Sequence, residues 1–280
     1  MRFGAHSMMW TASFRRDNLE IFDKLNSFGF DSLEILLDDP EALPLEGIQT
    51  KMDETGMEIA GSVTLDEEHN AISPDKEKRD KAVEYLKDRI EIASKLGAPV
   101  ISGVTYAGWG YFTGKPRTED EIKRSKEVIW QVTDSLEESG VTLGVEAINR
   151  FETHFLNTAE QAKDFVDQID HPNVKVHLDT YHMNLEEKDF YKPIKLVGDD
   201  LCHIHLCEND RGVPGTGHVN WDEVFRALDE IDYDNMAIVE SFVPEIEEVA
   251  EETAIWRKVA PGADKLAKQA LDFFKKNSNS

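Results

Sequence analysis

Four ionisable side chains come at the ends of four successive short apolar segments in the second half of the chain. Each segment alternates apolar and polar residues as a buried strand does, and the residues at or near the ends are Glu146, Asp179, His205 and Glu240. In parallel α/β folds the carboxyl ends of neighbouring strands meet at one edge, where ligands bind. Three buried carboxylates there repel one another unless a cation lies between them, which predicts a divalent metal site. The alternative is four unrelated charges that make separate surface contacts.

The four candidate ligands also indicate which ions fit. Carboxylate oxygens with one imidazole form a hard, oxygen-rich set, whereas structural zinc is usually held by Cys and His. We therefore expect Mn²⁺ as the first choice, with Co²⁺ or Mg²⁺ as the other candidates. Which metal is loaded in the cell also depends on its availability.

A second set of polar side chains follows the candidate ligands in the predicted loops. Three of them follow a ligand by six, three and six residues, namely Glu152, His182 and Arg211. His182 and Arg211 are donors suited to a substrate oxygen on which negative charge develops. Glu152 and Glu240 together supply the two carboxylates that a proton exchange between the two faces of one carbon requires. For Glu152 or Arg211 taken alone, a surface ion pair is the default explanation.

Strand and helix patterns alternate along the whole chain and must position these residues. Eight strands are predicted, at Arg2–Met8, Asp31–Leu37, Glu58–Thr64, Pro99–Thr105, Thr142–Ile148, Val174–Thr180, Leu201–Cys207 and Met236–Phe242. Eight βα units favour a closed (β/α)8 TIM barrel, and the chain carries no linker, so we expect a single domain over residues 1–280. An open dinucleotide-binding sheet would need a GxGxxG stretch after the first strand, and none follows it.

Three of the intervening helices have clear ends. The periodicity predicts helices at Asp17–Phe28, Pro74–Leu96 and Thr118–Ser139, each followed by a glycine. A glycine directly after a helix commonly takes the left-handed conformation that ends it. A further helix is predicted to open at Asn220, whose side chain suits the capping position.

The charge of the chain restricts its partners. Asp and Glu number 56 against 31 Lys and Arg, a formal net charge of −25. Such a surface repels phosphate backbones, so a general nucleic-acid-binding role is disfavoured. High salt would screen the repulsion, and life at high salt is one explanation of the charge. We expect no membrane span and a cytoplasmic location, because the chain has no long apolar run and its start does not resemble a signal peptide.

Several stretches resemble a known enzyme family. They are VEAINRFETHFLNTAEQA from Val145, VHLDTYHMNLEE from Val176 and HIHLCENDRGVPGTGHVNWDEVFRAL from His203. They are similar to the ketose 3-epimerases, the D-tagatose and D-psicose (D-allulose) 3-epimerase family of xylose isomerase-like barrels. The resemblance implies inversion of C3 in free ketohexoses, of the D-psicose/D-fructose or D-tagatose/D-sorbose type, through a cis-enediolate. It also implies a homodimer or homotetramer.

The resemblance assigns roles to individual residues. The implied metal ligands are Glu146, Asp179, His205 and Glu240, and the implied acid/base pair is Glu152 and Glu240. His182 and Arg211 would bind the O2 region of the ketose. Trp109 resembles a wall of the family's sugar pocket, and His6 lies near a place where family members often carry an aromatic residue. This departure at the first strand leaves the sugar preference open.

Three alternative functions differ from C3 epimerisation in the residues or the products that they require. An aldose–ketose isomerase of the same fold, such as a hydroxypyruvate isomerase-like enzyme, would move a carbonyl between C1 and C2. An endonuclease IV-like nuclease would need further zinc-binding histidines at earlier strand ends, and Gly61–Thr64 and Ser102–Thr105 contain none. A non-catalytic sugar-binding module would not need both Glu152 and Glu240.

Overall fold

Eight parallel strands close into a barrel in the computed structural model, which describes residues 1–278 of the chain. The strands are β1 Arg2–His6, β2 Ser32–Leu36, β3 Glu58–Ser62, β4 Val100–Gly103, β5 Thr142–Glu146, β6 Val174–Asp179, β7 Leu201–His205 and β8 Met236–Val239. Each strand pairs with the next in chain order, and β8 pairs with β1. The prediction of a single-domain (β/α)8 barrel is confirmed. Residues 279 and 280 of the predicted domain lie outside the described residues.

Helices surround the barrel. Within residues 1–278 the α-helices are α1 Glu20–Phe28, α2 Leu45–Thr55, α3 Lys76–Leu96, α4 Glu119–Trp130, α5 Thr133–Ser139, α6 Ala159–Ile169, α7 Thr180–Glu186, α8 Tyr191–Val197, α9 Trp221–Glu230, α10 Glu247–Thr253 and α11 Ala263–Asn277. Among these helices we find none with the length and apolar character needed to cross a membrane.

The predicted strands begin within one residue of the observed ones but run one to three residues too far at their carboxyl ends. The reason is that apolar residues such as Val63, Val104 and Leu206 continue past the last strand residue into the loops of the rim. After β1, for example, Ser7–Met9 forms a 3₁₀ turn, and after β6 the side chain of Asp179 caps α7. The rim is therefore built partly from residues whose pattern resembles that of a strand.

The three helix ends predicted at glycines are all confirmed. One of the three predicted helices, however, is not continuous. Gly29, Gly97 and Gly140 have φ of 88°, 70° and 70° and follow α1, α3 and α5. The single helix predicted over 118–139 is broken into α4 and α5. At the break the hydroxyl of Thr133 donates to the carbonyl of Trp130 at 2.8 Å, and such a local bond competes with helical backbone bonding.

The interior of the barrel changes from apolar to polar along the strand direction. The main core lies between the sheet and the helices, and a smaller separate apolar cluster contains Ala60, Val100, Cys202, Met236 and Ile238. Two residues further along three of these strands the chain has Ser62, Ser102 and Glu240. Alternate residues of a strand share a face, so these polar groups lie on the same side as the small cluster and nearer the rim.

The net charge of −25 predicts a salt-dependent stability. If the acidity is an adaptation to high salt, the melting temperature should rise between low salt and molar KCl, because the Debye length falls to about 3 Å at 1 M. For a domain of this size each ~1 kcal/mol of relieved repulsion raises Tm by about 2 °C. Thermal unfolding in a KCl series, with sucrose of equal osmolality as control, measures this effect. A flat response would mean that the acidity serves solubility alone.

Candidate active site

The four predicted metal ligands lie on four adjacent strands, β5 to β8, at one rim of the barrel. Asp179 is opposite His205 in the ladder, and Glu240 follows β8 directly. One ligand atom each of Glu146, Asp179 and His205 lie within 4.8 Å of one another, and all three residues are buried. Glu240 Oε2 lies 3.4 Å from Nδ1 of His205. The structure thus brings the four side chains together.

A β-bulge in β7 sets the register of this rim. Val176 pairs with Leu201 and His177 pairs with His203, so Cys202 is an extra residue on its strand. Bulges are a common way to re-aim side chains next to functional sites. Here the extra residue leaves Asp179 beside His205.

Arg211 lies among the carboxylates as their only guanidinium partner within the described residues. Its Nη1 contacts Asp179 Oδ2 at 2.8 Å and Glu240 Oε2 at 2.6 Å. The residue is 5 % exposed and has a left-handed backbone with φ 61°, a strained conformation for a residue with a side chain. Its guanidinium also lies over the Tyr181 ring, 4.2 Å from the centroid. Arg211 thus bonds two of the three rim carboxylates and leaves Glu146 without a guanidinium contact in the described chain.

The surroundings shift the pKa values of two rim carboxylates in opposite directions. Burial, reinforced by the charges of Asp179 and Glu240, raises the pKa of Glu146 well above its usual value. Burial also opposes ionisation of Glu240, but the positive charges on Arg211 and His205 outweigh it and hold the pKa of Glu240 below its usual value. The difference follows from Arg211, which bonds Glu240 directly. No hydrogen bond reaches the Glu146 carboxylate within residues 1–278.

A buried nitrogen of His205 that lacks a hydrogen-bond partner in the described chain tests whether a cation fits this site. His205 Nε2 lies 3.1 Å from Glu34 Oε2, a carboxylate whose pKa the imidazoles of His203 and His205 hold well below its usual value despite burial. His205 Nδ1 is buried without a hydrogen-bond partner in the described chain and faces Asp179 and Glu240. Burial lowers the pKa of His205, but Glu34 and Glu240 more than reverse this. The surroundings of Nδ1 therefore favour a positive charge. A divalent cation bound by the neighbouring carboxylate oxygens would supply that charge.

His182 presents a hydrogen-bond donor to the site. Its Nδ1 accepts from the backbone N–H of Asn149 at 3.2 Å, so the proton of the neutral ring is on Nε2. Nε2 lies 3.8 Å from Glu146 Oε1 and 3.9 Å from Asp179 Oδ2. Burial lowers the pKa of His182, which favours the neutral ring. A neutral imidazole held this way can donate to a substrate oxygen.

Glu152 is held by two donors beside the rim. Its Oε2 accepts from the indole N–H of Trp109 at 3.0 Å, and its Oε1 accepts from the side-chain amide of Asn149 at 2.6 Å. The same amide contacts His182 Nδ1 at 2.9 Å, so Asn149 links the two functional side chains. Glu152 is therefore held in position, and within residues 1–278 it makes no hydrogen bond to the four predicted metal ligands.

The structure places the two residues predicted to contact the sugar, Trp109 and His6, in different surroundings. Trp109 lines the central cavity, where its indole donates to Glu152. His6 is 1 % exposed, its Nδ1 accepts from the Met8 N–H at 3.2 Å, and its Nε2 lies 2.9 Å from the Ser62 hydroxyl. Both ring nitrogens are thus engaged inside the protein. A direct contact of His6 with a sugar stays a prediction.

Asn149 and Glu34 are not singled out by the sequence. Asn149 lies in the loop after β5, and its place three residues before Glu152 is the only available signal. Glu34 is one of the polar positions in the alternating strand SLEIL, a pattern equally typical of a solvent-facing residue. Its 0 % exposure is a property of the closed barrel.

The site opens into a cavity of about 1210 Å³ at the carboxyl ends of the strands. Its deep part includes Glu146, Glu152, His182, Arg211 and Glu240, whereas its outer part is rich in carboxylates from α3 and α10. These outer residues include Glu77, Asp80, Glu84, Asp88, Glu248 and Glu252. The charge balance suits a neutral, hydroxyl-rich ligand better than an anionic one.

Comparison with known proteins identifies a family for this chain. The family model described as Xylose isomerase-like TIM barrel matches residues 22–277. An L-ribulose 3-epimerase of Mesorhizobium japonicum is 34% identical over 97% of this chain and 92% of its own length. A ketose 3-epimerase of Arthrobacter globiformis is 31% identical over 98% of this chain and 96% of its own length.

Solved structures agree with the sequence relatives. A D-allulose 3-epimerase from Methylomonas sp., in complex with D-allulose, superposes with a TM-score of 0.94 at 29% identity, over 99% of this chain and 97% of that one. A D-psicose 3-epimerase from Clostridium cellulolyticum H10, solved with D-tagatose, gives a TM-score of 0.93 at 32% identity, over 99% of each chain.

Proposed function

This chain belongs to the xylose isomerase-like TIM barrel family and, within it, to the ketose 3-epimerases, and we propose on that premise that it inverts C3 of a free ketohexose with a divalent metal ion. Family membership makes it an isomerase. The observation that supports the finer proposal is the rim cluster of Glu146, Asp179, His205 and Glu240 next to a separately held carboxylate, Glu152. We propose D-psicose/D-fructose or D-tagatose/D-sorbose as the type of substrate pair.

Glu146, Asp179, His205 and Glu240 would hold the metal ion, with Mn²⁺ as our first choice and Co²⁺ or Mg²⁺ as alternatives. When bound, the ion acts as a Lewis acid toward the carbonyl and hydroxyl oxygens of the sugar. The buried Glu146 carboxylate without a hydrogen-bond donor and the orphaned Nδ1 of His205 support this ligand set. Arg211 bonds Asp179 and Glu240, so it would share these two carboxylates with a bound ion.

Glu152 and Glu240 carry the proton transfer in this proposal. One carboxylate removes the proton from C3, and the other returns a proton to the opposite face of the resulting cis-enediolate. Glu152 suits this task because Trp109 and Asn149 hold both of its oxygens in place while it remains outside the ligand cluster. Glu240 is kept ionised by Arg211, so it can accept a proton.

His182 and Arg211 stabilise the negative charge that develops on the sugar oxygens. The Nε2 of His182 faces Glu146 and Asp179 at the rim, and Arg211, which is 5 % exposed, lines the cavity. Donors that are already oriented stabilise developing charge without reorganisation at the moment of reaction. Trp109 forms one wall of the sugar site in this proposal.

A panel of free ketoses tests the proposal directly. The protein is incubated with Mn²⁺ and each ketohexose, and products are separated by chromatography. We expect the C3 epimer of at least one ketose and no aldose. Aldose formation would favour the related carbonyl-shifting isomerase, and the absence of turnover with every ketose would refute the substrate class.

Solvent deuterium distinguishes the chemistry more sharply. In D₂O the product ketose should carry deuterium at C3 and none at C1, because the proton removed and the proton returned both belong to C3. Proton NMR of the purified product measures the label. The substrate incubated with heat-treated protein is the control. Label at C1 or C2 would identify an aldose–ketose isomerase, and an unlabelled product would contradict proton exchange with a solvent-equilibrated carboxylate.

We propose a small-molecule ketose as the ligand, no nucleic-acid or membrane partner, and a cytoplasmic protein. The acidic cavity mouth and the net charge of −25 support a neutral ligand over a polyanion. A homodimer or homotetramer, implied by the family, is tested by sedimentation equilibrium.

A further inference from the structure

Glu34 accepts hydrogen bonds from two histidines in the interior of the barrel. It lies on β2, is 0 % exposed, and faces His203 and His205 of β7 across the barrel. One of its oxygens, Oε2, lies 2.7 Å from His203 Nε2 and 3.1 Å from His205 Nε2. The proposed catalytic groups do not include Glu34, and it does not line the cavity described above.

This contact determines which nitrogen of His205 carries the proton. An ionised carboxylate can only accept, so the Nε2 of each imidazole must be the donor. In the neutral ring, the lone pair of His205 is then on Nδ1. Nδ1 is the nitrogen that faces Asp179 and Glu240 and has no hydrogen-bond partner in residues 1–278.

A neighbouring ring restrains the plane of the imidazole. The ring of His177 lies edge-on to that of His205, with centroids 4.3 Å apart and planes at 74°. His177 is itself fully buried. Rotation of His205 about its χ2 angle would break the bond to Glu34 and change the packing of the ring against His177. The ring is therefore held at its Nε2 by a carboxylate and packs against a second ring.

We propose that Glu34 is a positioning residue that fixes His205 with its Nδ1 lone pair toward the metal site, an inference that rests on the metal site of the proposed function. A carboxylate behind a ligating histidine orients the ring and makes it a stronger ligand. Glu34 acts through His205 and does not touch the sugar. Its effect is therefore on metal affinity first and on turnover only through the metal.

Glu34→Gln tests this role in the full-length protein. Glutamine keeps the size of the side chain but replaces a charged acceptor by a neutral amide. We expect the Kd for Mn²⁺, measured by calorimetry or by the EPR signal of free Mn²⁺, to rise about 10- to 100-fold. At saturating Mn²⁺ most of the turnover should return. Ser102→Ala is the matched control, because Ser102 is also buried in the barrel and its hydroxyl is unpartnered in the described chain.

The readouts separate this role from a merely structural one. A structural role would lower the melting temperature of the metal-stripped protein and leave the Mn²⁺ Kd within twofold of wild type, which would overturn the inference. Wild-type protein that binds no Mn²⁺ would overturn the proposed metal site as well. If Glu34→Gln does not fold, Glu34→Asp, which keeps the charge on a shorter side chain, should still weaken Mn²⁺ binding relative to Ser102→Ala. An equal Kd for those two variants would refute the role of Glu34.

The histidine tautomer gives an independent measurement. In wild-type protein loaded with diamagnetic Mg²⁺, the ¹⁵N shifts of His205 should report a protonated Nε2 and an Nδ1 without a proton. Assignment uses the spectrum of a His205→Gln variant, from which the signals of this ring are missing. A protonated Nδ1 in the wild-type spectrum would contradict the geometry on which the inference depends.

Discussion

Glu152→Gln is expected to lose epimerisation by a factor on the order of 10² to 10⁴, the usual contribution of a general acid or base. The variant keeps the size of the side chain and leaves all four proposed metal ligands unchanged, so it should bind Mn²⁺ as wild type does. Steady-state kinetics and a Mn²⁺ titration on the same preparation measure both effects. Glu240 can still serve one face, so slow exchange of the C3 proton of one epimer with solvent should persist.

The environment of Glu152 sets the controls for this experiment. Both of its oxygens accept hydrogen bonds, from Trp109 and Asn149, and an amide can satisfy only one of these donors. The melting temperature must therefore be compared with that of wild type. Glu84→Gln, the same chemical change at the exposed mouth of the cavity, should leave turnover unchanged. Near-normal epimerisation by Glu152→Gln would refute the two-glutamate assignment even with an intact metal site.

Complete removal of divalent ions is expected to abolish turnover, and Mn²⁺ or Co²⁺ should restore it. The physical reason is that three carboxylates and the Nδ1 of His205 converge at the rim, and Arg211 bonds only two of the carboxylates, which leaves ligand atoms for a divalent ion. The protein is chelated, dialysed and assayed before and after addition of each ion. Metal content is checked by elemental analysis at each stage.

Two controls make the chelation experiment specific. The circular dichroism of the chelated protein shows whether it stays folded, because a metal site can also contribute to stability. Addition of excess Mg²⁺ in place of Mn²⁺ tests whether charge alone is sufficient. Full activity in a preparation verified to be free of metal would exclude the proposed role of the ligand cluster.

Much of the fold could be predicted from the chain because its information is local. Each strand is a short apolar segment, each helix carries its own periodicity, and the glycines at 29, 97 and 140 end three helices at the predicted places. A count of eight units indicates closure. The predicted strands run too far at the rim because the same apolar pattern serves strand and loop there.

The convergence of the four ligand candidates also follows from local sequence patterns, once the fold is taken to be a closed barrel. Residues at the carboxyl ends of adjacent parallel strands must meet at one rim, and Glu146, Asp179, His205 and Glu240 do so. No long-range information is needed for this step. What these residues do there, and which ion they hold, are still proposals.

Only the tertiary structure decided how the site is supported and charged. Glu34 is 169 residues from His203 in sequence, so nothing local indicates that they bond across the barrel. Arg211, in a loop and with a left-handed backbone, bonds Asp179 and Glu240, which lie 32 and 29 residues away in the chain. Asn149 joins Glu152 to His182 only because the loop after β5 packs against α7. Hydrogen bonds and pKa shifts depend on distances of a few ångströms between residues far apart in the chain, which local patterns do not encode.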